Sequence, residues 1–119
     1  MEPVILLVDD NEEILEFISE DLESKYTMLT ATDGKKALDI LQKESVQLVI
    51  SDIMMPEIDG WQVLQTLRAV PETATIPVII CSVFNDPQLA YSLGASLFIS
   101  KPVSRKDLLA ALHRLNVVS

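Results

Sequence analysis

Apolar and polar positions along this chain follow two alternating periods. Val4-Ile5-Leu6-Leu7-Val8 is an unbroken run of β-branched and leucine side chains, the pattern of a strand covered on both faces. After it, Ile14, Leu15, Ile18 and Leu22 recur at helical spacing behind Asn11, a residue suited to cap a helix start. Tyr26 to Ala31 reads as a second, less hydrophobic strand nearer an edge, and Asp33-Gly34 as a turn. Ala37, Leu38 and Leu41 give the next helix its apolar stripe, and Val46 to Ser51 reads as a third strand.

The second half repeats this rhythm. Asp52 to Gly60 is a loop holding Pro56, and the helix behind it carries Trp61, Leu64 and Leu67 and stops before Pro71. Ile76 to Cys81 is the fourth strand, with Pro77 near its start, where a missing N–H is tolerated. A short helix is predicted between Asp86 and Leu93, ending at Gly94. Ala95 to Ser100 is the fifth strand, broken by Lys101-Pro102. Ser104 with Asp107 then opens the last helix in the manner of a capping box, and Leu108, Leu112 and Leu115 form its core face.

Five strand-then-helix units predict an α/β fold: a doubly wound, five-stranded parallel sheet with five helices, the fourth shortened. Five strands favour the flavodoxin-like order 2-1-3-4-5 over a six-stranded dinucleotide fold. The 119 residues suit one domain over 1–119.

Composition narrows the functions. Nine Lys and Arg against eighteen Asp and Glu give a net charge of −9, which disfavours direct binding to nucleic acid or to an anionic membrane surface. No apolar run is longer than Val4 to Val8, far short of the roughly 18 residues of a membrane span. The start, Met1-Glu2-Pro3, lacks the basic residues of a signal peptide, and the single Cys81 rules out an internal disulfide, so a cytoplasmic location is expected. Cys81 is read as a small buried hydrophobe, Trp61 as helix packing and His113 as solvated; Tyr91 is left open between core and partner surface.

The chemistry lies at the strand ends. Asp9 and Asp10 follow the first strand, Asp52 the third, Ser82 the fourth and Lys101 the fifth. In open α/β sheets ligands bind beyond these carboxyl ends, so residues spread from 9 to 101 converge on one rim. A close pair of carboxylates repels by about 3–4 kcal/mol at an effective dielectric of 20, and one lysine offsets only part of that. The set therefore calls for a hard cation, Mg²⁺ with Mn²⁺ as the alternative. Beside such a cation Asp52 can act as a nucleophile on a phosphoryl group, with Lys101 and the Ser82 hydroxyl stabilising its oxygens.

Asp9-Asp10, Asp52-Ile53-Met54-Met55-Pro56 through Asp59-Gly60, Ser82, Gly94-Ala95, Phe98 and Lys101-Pro102 together resemble the receiver domain of bacterial two-component response regulators. The resemblance implies that Asp52 accepts phosphate from a sensor histidine kinase or a histidine phosphotransfer protein. It further implies that Asp10, Asp52 and the Met54 carbonyl ligate Mg²⁺ with Asp9 assisting, and that the Lys101–Pro102 bond is cis. Ser82 and Phe98 would form a switch pair that remodels a surface read by a downstream effector protein or a fused output domain. Three departures from the family pattern stand out. Ser82 and Gly94 are only twelve positions apart, about one helical turn short; Val83 is bulky where a small residue is usual; and Met54 and Phe84 are apolar where the attacking water is commonly influenced. The last implies slow spontaneous loss of phosphate. Rival readings are an aspartate-based phosphohydrolase, which needs a second Asp where Met54 stands, a flavin or nucleotide binder, which lacks its Gly-rich loop, and a receiver-like interaction module without phosphorylation.

Overall fold

The computed structural model describes residues 3–52, 60–83, 87–101 and 103–115. Among these residues five strands and five helices alternate: β1 (Val4–Val8), α1 (Glu12–Leu22), β2 (Thr27–Ala31), α2 (Gly34–Lys43), β3 (Leu48–Ser51), α3 (Gly60–Ala69), β4 (Val78–Ser82), α4 (Pro87–Ser92), β5 (Leu97–Ser100) and α5 (Arg105–Arg114). All neighbouring strands pair in parallel, in the order β2-β1-β3-β4-β5. The winding reverses between β1 and β3, as expected.

Alternation of side chains splits the core into two layers. Ile5, Leu7, Leu48, Ile50 and Ile79 face α1 and α5 and meet Leu15, Ile18, Leu108 and Leu112. Leu6, Val8, Val49, Val78 and Ile80 point the other way, against Ala37 of α2, Val63, Leu64 and Leu67 of α3, and Ala90 of α4. Burial on both faces explains why β1, β3 and β4 read as continuous apolar runs.

Asn11 caps α1 through Oδ1, which accepts from the N–H groups of Glu13 and Ile14. Ser104 caps α5, accepting from Asp107 N–H at 3.1 Å. Asp33-Gly34, read as a turn, is instead a helix start: Asp33 accepts from Lys36 N–H at 2.8 Å and Gly34 is the first residue of α2. Four strands begin later than their hydrophobicity implies. Tyr26, Val46 and Ala95 are buried yet precede the strands they approach, because burial does not require a ladder position. Pro77 also lies before β4, although its carbonyl accepts from Val49 N–H. Ser82, placed after the fourth strand by the sequence pattern, is its last residue. Among the described residues α4, at six residues, is the shortest helix, as the spacing predicted.

Candidate functional site

The β1, β3 and β5 rim is assembled by backbone pairing that runs one residue past the strands. Asp9 N–H donates to the Ala31 carbonyl, Asp52 N–H to Val8 and Lys101 N–H to Ser82. Each link holds a chemistry-bearing residue just beyond the ladder, where its side chain is free of the two core layers. The Lys101 ammonium donates to Asp9 Oδ2 at 2.7 Å and to Asp52 Oδ2 at 3.0 Å. Asp9 and Asp52 are buried, and the Lys101 side chain is only 14% exposed. Asp9 also accepts from Asn11 N–H at 2.9 Å, which fixes its second oxygen.

Asp10 is exposed beside them, and one oxygen each from Asp9, Asp10 and Asp52 lie within 4.8 Å of one another. Partial desolvation, then the negative charges of Asp9 and Asp52, raise the Asp10 carboxyl above the ordinary aspartate value. Burial alone lowers the affinity of the Lys101 amine for its proton; the hydrogen bonds to Asp9 and Asp52 and their charges outweigh it, and the lysine is shifted up. Three carboxylates and one ammonium leave two net negative charges among hard oxygen donors. That donor set fits a divalent cation of the Mg²⁺ class.

Ser82 is fully buried at the end of β4. Ile80 pairs with Phe98 across β4 and β5, and Ser82 is two residues beyond Ile80. Side chains two apart share a face, so Ser82 and Phe98 lie on the same side of the sheet, diagonally adjacent. Phe98 is half-buried and packs on the α2–α3–α4 layer. Asp9, Asp10, Asp52 and Lys101 thus meet at one point, with Ser82 and Phe98 on the neighbouring strands. Met54, Phe84 and the Lys101–Pro102 peptide bond, with Pro56 and Asp59, lie outside the described residues.

The sequence pattern missed the hollow above the acids. A cavity of about 400 Å³ has Asp9, Asp52 and Lys101 in its wall and Ile14, Phe17 and Val83 among its apolar residues. Phe17 is 61% exposed and Val83 72%. Cys81 lines it too; burial pushes its thiol up to about 12, so it is protonated and unreactive at neutral pH, as a small core residue should be. Trp61 packs half-buried on its layer, and His113 is exposed. Nothing in the order of residues flags Phe17, which lies off the apolar stripe of α1.

The family described as the response regulator receiver domain matches residues 5–113. The transcriptional regulatory protein HprR of Escherichia coli is 36% identical over 110 residues, covering 92% of this chain and 49% of the relative. A Vibrio cholerae protein named "Probable cyclic di-GMP phosphodiesterase" is 38% identical over 112 residues, but this spans only 25% of it. The chain therefore covers about half or less of the length of these curated relatives. Among solved structures, the chemotaxis response regulator CheY4 of Vibrio cholerae superposes with a TM-score of 0.90 at 28% identity, covering 97% of this chain and 99% of that one. Among the described residues no helix is long and apolar enough to cross a membrane.

Proposed function

This chain belongs to the response regulator receiver domain family, and from that premise we propose that it is a phosphorylation-dependent signalling switch whose phosphoacceptor is Asp52. The observation that carries the proposal is the Lys101 ammonium bridging Asp9 and Asp52 across 92 and 49 positions of sequence. A surface ion pair needs no such convergence of three strand ends.

The donor is a phosphohistidine on a sensor histidine kinase or a histidine phosphotransfer protein. A carboxylate oxygen of Asp52 attacks phosphorus; the P–O bond forms as the P–N bond breaks, and the imidazole nitrogen leaves with the electron pair. Lys101, already within hydrogen-bond reach of Asp52, takes up one phosphoryl oxygen as charge moves from the carboxylate onto the phosphoryl group. The Ser82 hydroxyl accepts the role of second donor by turning towards the rim, and the Phe98 ring follows into the space vacated on the shared face. Asp10 and Asp52, with Asp9 and the Met54 carbonyl, would hold Mg²⁺, which supplies positive charge that screens the carboxylates from the incoming phosphoryl oxygens. The output is a changed surface for an effector protein or a fused output domain; no external turnover substrate is proposed. Asp52 phosphorylation shifts an existing equilibrium only by the difference in how the two states hold the phosphoryl group.

Incubation with Mg²⁺ and acetyl phosphate, followed by intact-mass measurement, tests this. The expected result is a stoichiometric gain of about 80 Da, the mass of one phosphoryl group, that is absent in Asp52→Asn. A gain that persists in Asp52→Asn, or steady multiple turnover of a phosphate ester, overturns it.

A further inference from the structure

The C-terminal end of α4 is closed by a hydrogen-bonded turn. Gly94 adopts φ +104°, and the turn closes with two reverse hydrogen bonds: Ala95 N–H to the Ala90 carbonyl at 3.0 Å and Gly94 N–H to Tyr91 at 3.1 Å. This is a Schellman motif with glycine at its left-handed position. From outside, Arg68 of α3 donates to the Gly94 carbonyl through Nε and Nη2, at 3.0 and 2.8 Å. The backbone under Tyr91 is therefore fixed twice, once within its own turn and once from the neighbouring helix.

From that fixed base the Tyr91 ring reaches over β5, and its hydroxyl oxygen accepts from Phe98 N–H at 3.3 Å. β5 is an edge of the sheet. Lys101 N–H points inward to the Ser82 carbonyl of β4, and amide direction alternates along a parallel strand. Phe98, an odd number of positions away, therefore turns its N–H to the open side. An edge amide of this kind is a ready template for another chain, and Tyr91 covers it. Tyr91 is 48% exposed, so its place is not accounted for by burial. Phe98 is also the residue whose ring shares a face with Ser82.

We propose that the Tyr91 hydroxyl is a latch: it ties α4 to the Phe98 backbone while Asp52 is unmodified, and it opposes the rearrangement that follows phosphoryl transfer. The proposal rests on the phosphoacceptor reading above. A contact made in one state and lost in the other biases the equilibrium by its own strength. A neutral, solvent-edged hydrogen bond of 3.3 Å is at the weak end of its class, so the bias is about two- to fivefold.

Tyr91→Phe keeps the ring and removes the oxygen. Two readouts apply, with Gln88→Ala, an exposed change on the same helix, as the control. In the variant, hydrogen exchange at the Phe98 amide is expected to quicken about two- to fivefold, while amides of β3 keep their wild-type rates. The acetyl phosphate concentration for half-maximal phosphorylation with Mg²⁺ is expected to fall by a similar factor. An unchanged Phe98 exchange rate overturns the tie, and quickened exchange with unchanged half-saturation overturns the latch. Wild-type protein that takes up no phosphoryl group overturns the phosphoacceptor reading and the coupling with it, a result told apart because the tyrosine is then intact.

Discussion

Replacing Lys101 with methionine isolates the contribution of the ammonium to the rim. Its Nζ lies 2.7 Å from Asp9 and 3.0 Å from Asp52, both buried. At an effective dielectric of 20 each contact represents a gross attraction of about 5–6 kcal/mol. Desolvation of the three charged groups offsets most of that, so the informative quantity is what the fold loses when two buried carboxylates are left facing one another. For breaking one partner out of a buried pair that loss is about 3–5 kcal/mol, and some solvent access at Lys101 favours the lower end, about 3 kcal/mol. In a domain of this size that is a fall of about 10 °C in Tm. The assay is urea unfolding followed by circular dichroism, at pH 7 with a chelator present. Mg²⁺ is expected to narrow the gap between wild type and Lys101→Met, because a cation in the cluster replaces part of the missing charge. The pH dependence has a definite sign. A lysine whose proton is held more tightly in the folded state contributes its full stability below the ordinary lysine value and loses it as pH rises through the raised one. The wild-type advantage should therefore be flat near neutrality and shrink in strong alkali. A loss under 1 kcal/mol, the range of an exposed ion pair, or a gap that Mg²⁺ leaves unchanged, would refute the reasoning.

Asp10→Asn should stabilise the metal-free protein at pH 7, since the raised Asp10 carboxyl means the native state disfavours its charge. That gain should fade as pH falls through the raised value, and thermal melts at stepped pH check it. Gly94→Ala places a Cβ 3.2 Å from Arg68 Cγ and Nε at a φ of +104°, so a loss of about 1–3 kcal/mol is expected in urea unfolding. A loss under about 0.5 kcal/mol would count against the left-handed turn. With Met54 and Phe84 unable to hydrogen-bond an attacking water, the phosphorylated wild type should outlast Met54→Asn and Phe84→Glu, read as decay of the phosphoryl adduct in intact-mass time courses; faster decay in the wild type sinks the idea.

The rim was legible because the chain carries it in order. Asp9, Asp10, Asp52 and Lys101 each follow a strand whose apolar run is unmistakable, and a parallel sheet leaves one end for all of them. Strand starts were less legible. Val46 and Ala95 are as buried as ladder residues, and hydrophobicity reports burial rather than hydrogen bonding. Arg68 and Tyr91 were out of reach for another reason: their partners are backbone groups of residues 74, 76, 94 and 98, which have no side-chain signature. Phe17 reads as an ordinary surface position until tertiary structure places it in the wall of the cavity over the acids, beside Val83, which stood out in the sequence only for its bulk.

The guanidinium of Arg68 donates to the carbonyls of Ala74, Ile76 and Gly94, so one side chain splices the connection before β4 to the one before β5. Burial lowers its proton affinity somewhat, as expected for a cation that works by donating to neutral dipoles. For anyone building chimeras, the two connections are thereby a single exchangeable cassette: a fourth helix transplanted from a relative arrives without its anchor unless position 68 and the 70–76 turn travel with it.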